Sequence, residues 1–140
     1  MPPLDPASAK GEPERILVTS GSPMEEPIGF SRAVRIGPWI AVSGTAPIAE
    51  GGGVAFPGDL YSQTRHCLEI MLRALEEAGG SPEGVLRTRL FLTDISRWRE
   101  AARAHGELFT RIRPACTFVE VSRFIDPGWL VETELDAVVT

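Results

Sequence analysis

The segment Leu130–Val139, LVETELDAVV, alternates so regularly that a chain containing it has few ways to fold. In an extended strand successive side chains point to opposite faces. Val131, Thr133, Leu135, Ala137 and Val139 therefore line one face, while Leu130, Glu132, Glu134 and Asp136 line the other. Such a strand belongs in a sheet that is buried on one side and polar on the other. The cover for its apolar side has to come from elsewhere in the chain.

Two segments have the right period. From Asp59, a predicted N-cap, Leu60, Thr64, Cys67, Leu68, Met71, Leu72 and Leu75 recur at three and four, and Gly79-Gly80 supplies the stop. A second helix is expected from a Ser96 cap, with Trp98, Ala101, Ala102, His105, Leu108 and Phe109 along one side. The remaining segments read as strands: Ile16–Val18, a hairpin turning at Gly37-Pro38, Val85–Asp94 and Pro114–Val121. Gly21–Pro27 and the glycine-rich Glu50–Gly58 read as loops, the latter with no P-loop lysine to make it a phosphate cradle. Pro2, Pro3, Pro6, Gly11 and Pro13 mark residues 1–13 as a flexible leader, leaving 14–140 as one domain.

The alternation also suggests what the second sheet face does. In Val85–Asp94, Leu86, Thr88, Leu90 and Leu92 make the apolar row, against Val85, Arg87, Arg89 and Phe91. In Pro114–Val121, Cys116, Phe118 and Glu120 oppose Ala115, Thr117, Val119 and Val121. The uncovered face is thus expected to carry Arg35, Arg87 and Arg89 against Glu120, Glu132, Glu134 and Asp136, together with Trp39, Phe91, Cys116 and Phe118. Charges mixed with large apolar groups suit a partly buried subunit interface better than a solvated surface.

Composition narrows the partners. With 43% hydrophobic residues and 24% charged, a 140-residue chain can bury a core. A net charge of -5, one lysine and dispersed arginines leave no basic stripe, so nucleic acid is not an expected partner. Cys67 and Cys116 lack Cys-x-x-Cys spacing and read as two free thiols of a reduced, cytoplasmic protein. No basic, apolar signal-like start and no run of about 18 apolar residues is present, so a membrane is not expected either. His66 and His105 have no nucleophile or metal partner at a useful spacing, and structural roles are expected for both.

Five stretches taken in order, GFSRAV (Gly29–Val34), VSG (Val42–Gly44), FLTDI (Phe91–Ile95), RPACTFVEV (Arg113–Val121) and VETELDA (Val131–Ala137), resemble the Rid family of reactive intermediate deaminases, RidA-like or YjgF-type proteins. The resemblance runs from about Ile28 to Val139. It implies a chorismate-mutase-like α+β sandwich, with a mixed six-stranded sheet and two helices on one face. It also implies a homotrimer whose sheets face the threefold axis, with ligand clefts between subunits. In that setting the row of Cys116, Phe118 and Glu120 would look into the trimer.

Active members of the family hydrolyse imines and enamines of 2-amino acids to 2-oxo acids and ammonia, with no metal or cofactor. By the resemblance, Glu132 positions the attacking water and the Gly44 backbone contacts ligand. Phe30 stands where a tyrosine is usual and Thr45 where glutamine is common, both at the substrate. The carboxylate-binding arginine, two residues after the strand-opening proline, is Cys116 here. Losing that bidentate partner should cost about 2–5 kcal/mol, roughly 30- to several-thousand-fold. Arg32 is a candidate second guanidinium for the cleft, the alternative for a strand-start arginine being a rim or salt-bridge residue. The expected function is a small-molecule hydrolase or deaminase on imine or enamine compounds, with a 2-oxo or 2-imino acid as ligand. A non-catalytic trimer that binds a metabolite or a protein is the alternative, and an endoribonuclease or translation-inhibitor activity ranks third.

Overall fold

The computed structural model describes residues 14–140, so the expected leader lies outside the described residues. Its strands are β1 (Arg15–Val18), β2 (Ala33–Ile36), β3 (Trp39–Thr45), β4 (Val85–Leu92), β5 (Ala115–Glu120) and β6 (Val131–Val138). Its helices are α1 (Glu25–Ile28), α2 (Leu60–Glu77) and α3 (Trp98–Phe109). The six strands form one sheet in the order β1-β2-β3-β6-β4-β5. Every pairing is antiparallel except β4 with β5. This is the expected mixed six-stranded α+β sandwich.

Helix α2 forms where the 3.6-residue period and its cap agree. Asp59 accepts a hydrogen bond from Ser62 N at 3.0 Å, and Leu60, Cys67, Leu68, Met71 and Leu75 are buried. They pack on Ile40, Val42, Leu90, Val131 and Leu135 of the sheet. Each such large side chain taken out of water contributes roughly 1.5–3 kcal/mol. The buried hydroxyls are bonded: Thr64 to Leu60 O at 2.7 Å, Thr88 to His105 Nε2 at 2.8 Å and Thr133 to Met71 Sδ at 3.4 Å. His105 is thereby a hydrogen-bonded edge residue of the core, stacked near Phe109.

Several local expectations are corrected. Gly21–Pro27 runs into the one-turn helix α1, held by Glu25, whose carboxylate accepts from Thr19 Oγ1 at 2.9 Å and Ser20 N at 2.8 Å. The second long helix is entered through a 3-10 turn, Ile95–Arg97, capped by Asp94 accepting from Ser96 N, so Asp94 rather than Ser96 is the cap. A bulge between Val85 and Arg87 turns Val85 into the core beside Ala137 and leaves Leu86 47% exposed on the other side.

Two facing assignments change as well. Arg35 pairs with the core residue Ile40, so it lies on the helix side. There its guanidinium donates to Ala78 O at 3.0 Å, supplying a cation and a donor to the C-terminal end of α2. The Cys116 row changes face for a related reason. Thr88, Leu90 and Leu92 are core residues, and the parallel register sets Cys116, Phe118 and Glu120 beside them. Cys116, Phe118 and Glu120 therefore lie on the helix-covered side, not on the open face with Glu132. The fold tolerates a thiol and a carboxylate there because β5 is an edge strand, where only Phe118 is tucked against α3, edge-on to Trp98 and His105.

The open face keeps Trp39, Phe91, Arg87, Arg89, Glu132, Glu134 and Asp136, as expected, and gains Leu17, Val34, Ile36 and Val119. Arg89 donates to Glu134 at 3.3 Å and Asp136 at 3.1 Å across the β4–β6 ladder. No described helix is long and apolar enough to cross a membrane.

Candidate functional site

The most reactive-looking corner of the open face is made by an irregularity in β3. Between Val42 and Thr45 the strand spends three steps against two on β6, where the partners are Leu135 and Thr133. The extra residue is a bulge at Ser43-Gly44. Thr45 stays in the core, 1% exposed, with its hydroxyl donating to Ser43 O at 2.8 Å. Gly44 is pushed to the open face, toward Glu132. Arg32 ties the bulge down by donating from Nη2 to Gly44 O at 2.5 Å.

Glycine leaves the Glu132 carboxylate its room at this point. A Cβ on Gly44 would stand 3.3 Å from Glu132 Oε1, so a side chain there would press on the carboxylate. Glu132 is half-buried and, among the described residues, makes no hydrogen bond or ion pair. Burial raises its carboxyl above the ordinary value of 4.5, Arg32 opposes that shift and Glu134 adds to it. Burial also disfavours the charge on Arg32, while the fields of Glu25 and Glu132 favour it.

In front of Gly44 and Glu132 lies a cavity of about 300 Å³, lined also by Phe91, Val121, Arg123, Phe124 and Glu134. That is the lower end of the roughly 300–1,000 Å³ range of small-molecule sites. Two aromatic rings and an aliphatic group wall a carboxylate poised to take a proton. The arrangement suits a small planar molecule and a water beside Glu132.

The expected site residues are only partly brought together within one chain. Gly44 and Glu132 meet, with Arg32 behind the bulge. Thr45 points into the core. Phe30 lines a separate polar hollow of about 760 Å³ with Glu25 and Ser43, on the far side of the bulge. Cys116 is exposed at the sheet edge on the opposite face, and Cys67 is buried on the core side of α2 with its thiol raised by burial. His66 bonds Ile48 O at 2.7 Å and has no part in the cavity. Among the described residues no His, Cys, Asp or Glu cluster could hold a metal.

Sequence reasoning missed Val121, Arg123 and Phe124. They sit in the irregular connection after β5, where neither period applies. The signal available was an arginine beside an aromatic residue directly after a strand.

The fold and the acidic, aromatic-walled pocket define a class, the YjgF-type α+β sandwich. The family described as Endoribonuclease L-PSP matches residues 16–139, and the chain belongs to it. An uncharacterised protein of Streptomyces coelicolor is 40% identical over 120 residues, which span 86% of this chain and 89% of that protein. The 3-aminoacrylate deaminase RutC of Acinetobacter baylyi is 32% identical, over 86% of this chain and 94% of its own. The crystal structure of a YjgF/YER057c/UK114 family member from Mycobacterium tuberculosis superposes with a TM-score of 0.81 at 45% identity, covering 90% of this chain and all of that one.

Proposed function

We propose that the protein is a cofactor-independent hydrolase of small imines and enamines, with Glu132 as general base. The observation that carries this reading is an unpaired, half-buried carboxyl of raised pKa facing a cavity of about 300 Å³ across a glycine bulge. Glu132 takes a proton from water, the water oxygen bonds to the imine carbon, and the nitrogen gains a proton. Collapse of the carbinolamine then releases ammonia and leaves a carbonyl. A 32% identical relative named as a 3-aminoacrylate deaminase supports this substrate class. Small substrates fit a cavity of about 300 Å³, and a cytoplasmic setting belongs to the same reading, in keeping with the free thiols of Cys67 and Cys116. RNA cleavage is less favoured, because the chain carries a net charge of -5 and the open face three carboxylates.

The test is imine generated in place by an amino-acid oxidase, with semicarbazide trapping what is left. Hydrolysis above the uncatalysed rate, lost in Glu132→Gln, is the expected result. Ligand binding without any turnover would instead favour the metabolite-binding alternative, to which Phe30 without a hydroxyl and Cys116 without a charge also point.

The same reading includes a homotrimer. Trp39 is 62% exposed, Leu17 59% and Ile36 40%, all on the face that also holds the Arg89 ion pairs. Apolar area of that kind favours association. Cys116 and Glu132 lie on opposite faces of the sheet, so one ligand can touch both only where two copies meet. Light scattering is expected to give about three times the 15.2 kDa chain mass. A monodisperse 15.2 kDa species at micromolar concentration would remove both trimer and intersubunit cleft.

A further inference from the structure

Arg123 opens the connection between β5 and β6 and lines the same cavity as Glu132 and Gly44. Among the described residues its guanidinium makes no ion pair and no hydrogen bond, and it shares the cavity wall with one unpaired carboxylate, Glu132, and one paired one. Glu134 is paired with Arg89; Arg32 donates from Nη2 to Gly44 O, keeps its buried Nε without a partner, and does not line the cavity. Arg123 is therefore the one free cation among the residues that wall it.

The connection that carries Arg123 is anchored at both ends. Val121 N donates to Leu92 O at 2.8 Å just before it. At the far end the fully buried Gln63 donates to Gly128 O at 3.0 Å and accepts from Leu130 N at 2.9 Å. Within it, Gly128 N donates to Asp126 Oδ1 at 2.8 Å. The connection is thus held at both ends, and the exposed Arg123 head group between them is left unspent.

An anionic substrate entering this cavity meets two carboxylates, so it needs a cation on another wall. A guanidinium fits a carboxylate in two parallel hydrogen bonds, and Phe91 and Phe124 line the same cavity as Arg123 and Glu132. We propose that Arg123 receives the substrate carboxylate, taking the role that Cys116 cannot perform. The assignment rests on the hydrolase reading of the Glu132 pocket. It narrows the substrates to imines and enamines of small 2-oxo acids, and it restores part of the affinity lost at Cys116.

The test is binding, which does not depend on turnover. Dissociation constants for 2-oxobutyrate and its uncharged amide are measured by NMR titration on wild type, Arg123→Gln and Arg123→Lys, with circular dichroism and light scattering as controls of fold and assembly. Arg123→Gln is expected to weaken the acid by about 30-fold or more, leave the amide unchanged, and Arg123→Lys to fall between. Acid binding within threefold of wild type in Arg123→Gln overturns the assignment while leaving the hydrolase reading intact. Equal weakening of acid and amide overturns it too, because Arg123 would then only shape the pocket. A wild type that binds neither compound and hydrolyses no imine removes the pocket reading, and the assignment with it.

Discussion

Glu132→Gln will lower imine hydrolysis by roughly 10²–10⁴-fold, the usual contribution of a positioned general base, while leaving the fold intact. The amide keeps the shape of the side chain and loses the proton acceptor. The pH dependence separates this from a folding defect. Burial raises the Glu132 carboxyl above 4.5 in the folded protein, so the folded state favours its protonated form. Its contribution to stability is complete below pH 4.5 and is lost as pH rises through the higher folded value. Glutamine has no proton to lose. Thermal melts are therefore expected to show Glu132→Gln equal to wild type at pH 4 and more stable at pH 7, even as activity disappears. Wild-type activity should rise with pH through that same raised value, because only the carboxylate can accept the proton. A variant that stays within threefold of wild type in rate would remove Glu132 from the chemistry.

Gly84→Ala is the substitution with the largest expected effect on stability. Gly84 ends the 3-10 turn before β4, and a Cβ there would lie 2.1 Å from the backbone oxygen of Val138. Neither partner can swing away, since Val85 pairs with Ala137 in the core immediately beside them. Either the β4–β6 ladder opens at this end or the turn moves out of it. A cost of about 2–4 kcal/mol is expected, seen as a lower denaturant midpoint at unchanged slope and a melting point lower by roughly 10 °C. A loss below about 0.5 kcal/mol, the level of an ordinary surface change, would mean that the turn has slack the structure does not display.

The same distinction between backbone register and side-chain pattern decides how much of the molecule was legible in its sequence. Helix α2 and strand β6 could be read because one row of each is plainly apolar, so the pattern names both the element and its buried side. β5 could be read as a strand but not oriented. Its two rows are about equally polar, and only the parallel pairing of Thr88 with Cys116 assigns them. Arg35 was misplaced because a charged residue at a helix-facing position looks out of place until the carbonyl of Ala78 is seen above it. Of the candidate site, Glu132 and Gly44 were legible through motifs that resemble the Rid family. Thr45 lost its place to a bulge, which shifts a register without leaving a mark in alternation. Arg123 belongs to a connection whose geometry is set by Gln63, sixty residues away in sequence.

The position of β6 in the sheet bears on how the molecule is made. It lies between β3 and β4, so the β1-β2-β3 ribbon and the β4-β5 pair share hydrogen bonds only through it. Each part alone has one apolar face and a bare edge, with no partner until β6 arrives. Closing the sheet means drawing a late segment between two earlier ones, a search whose entropy must be met before any central ladder bond repays it. Until that moment the inner edges of β3 and β4 are open to strands of neighbouring chains. Glu132, Glu134 and Asp136 lie on the segment that fills the gap, so the strand carrying the proposed catalytic base is also the one whose arrival closes both edges.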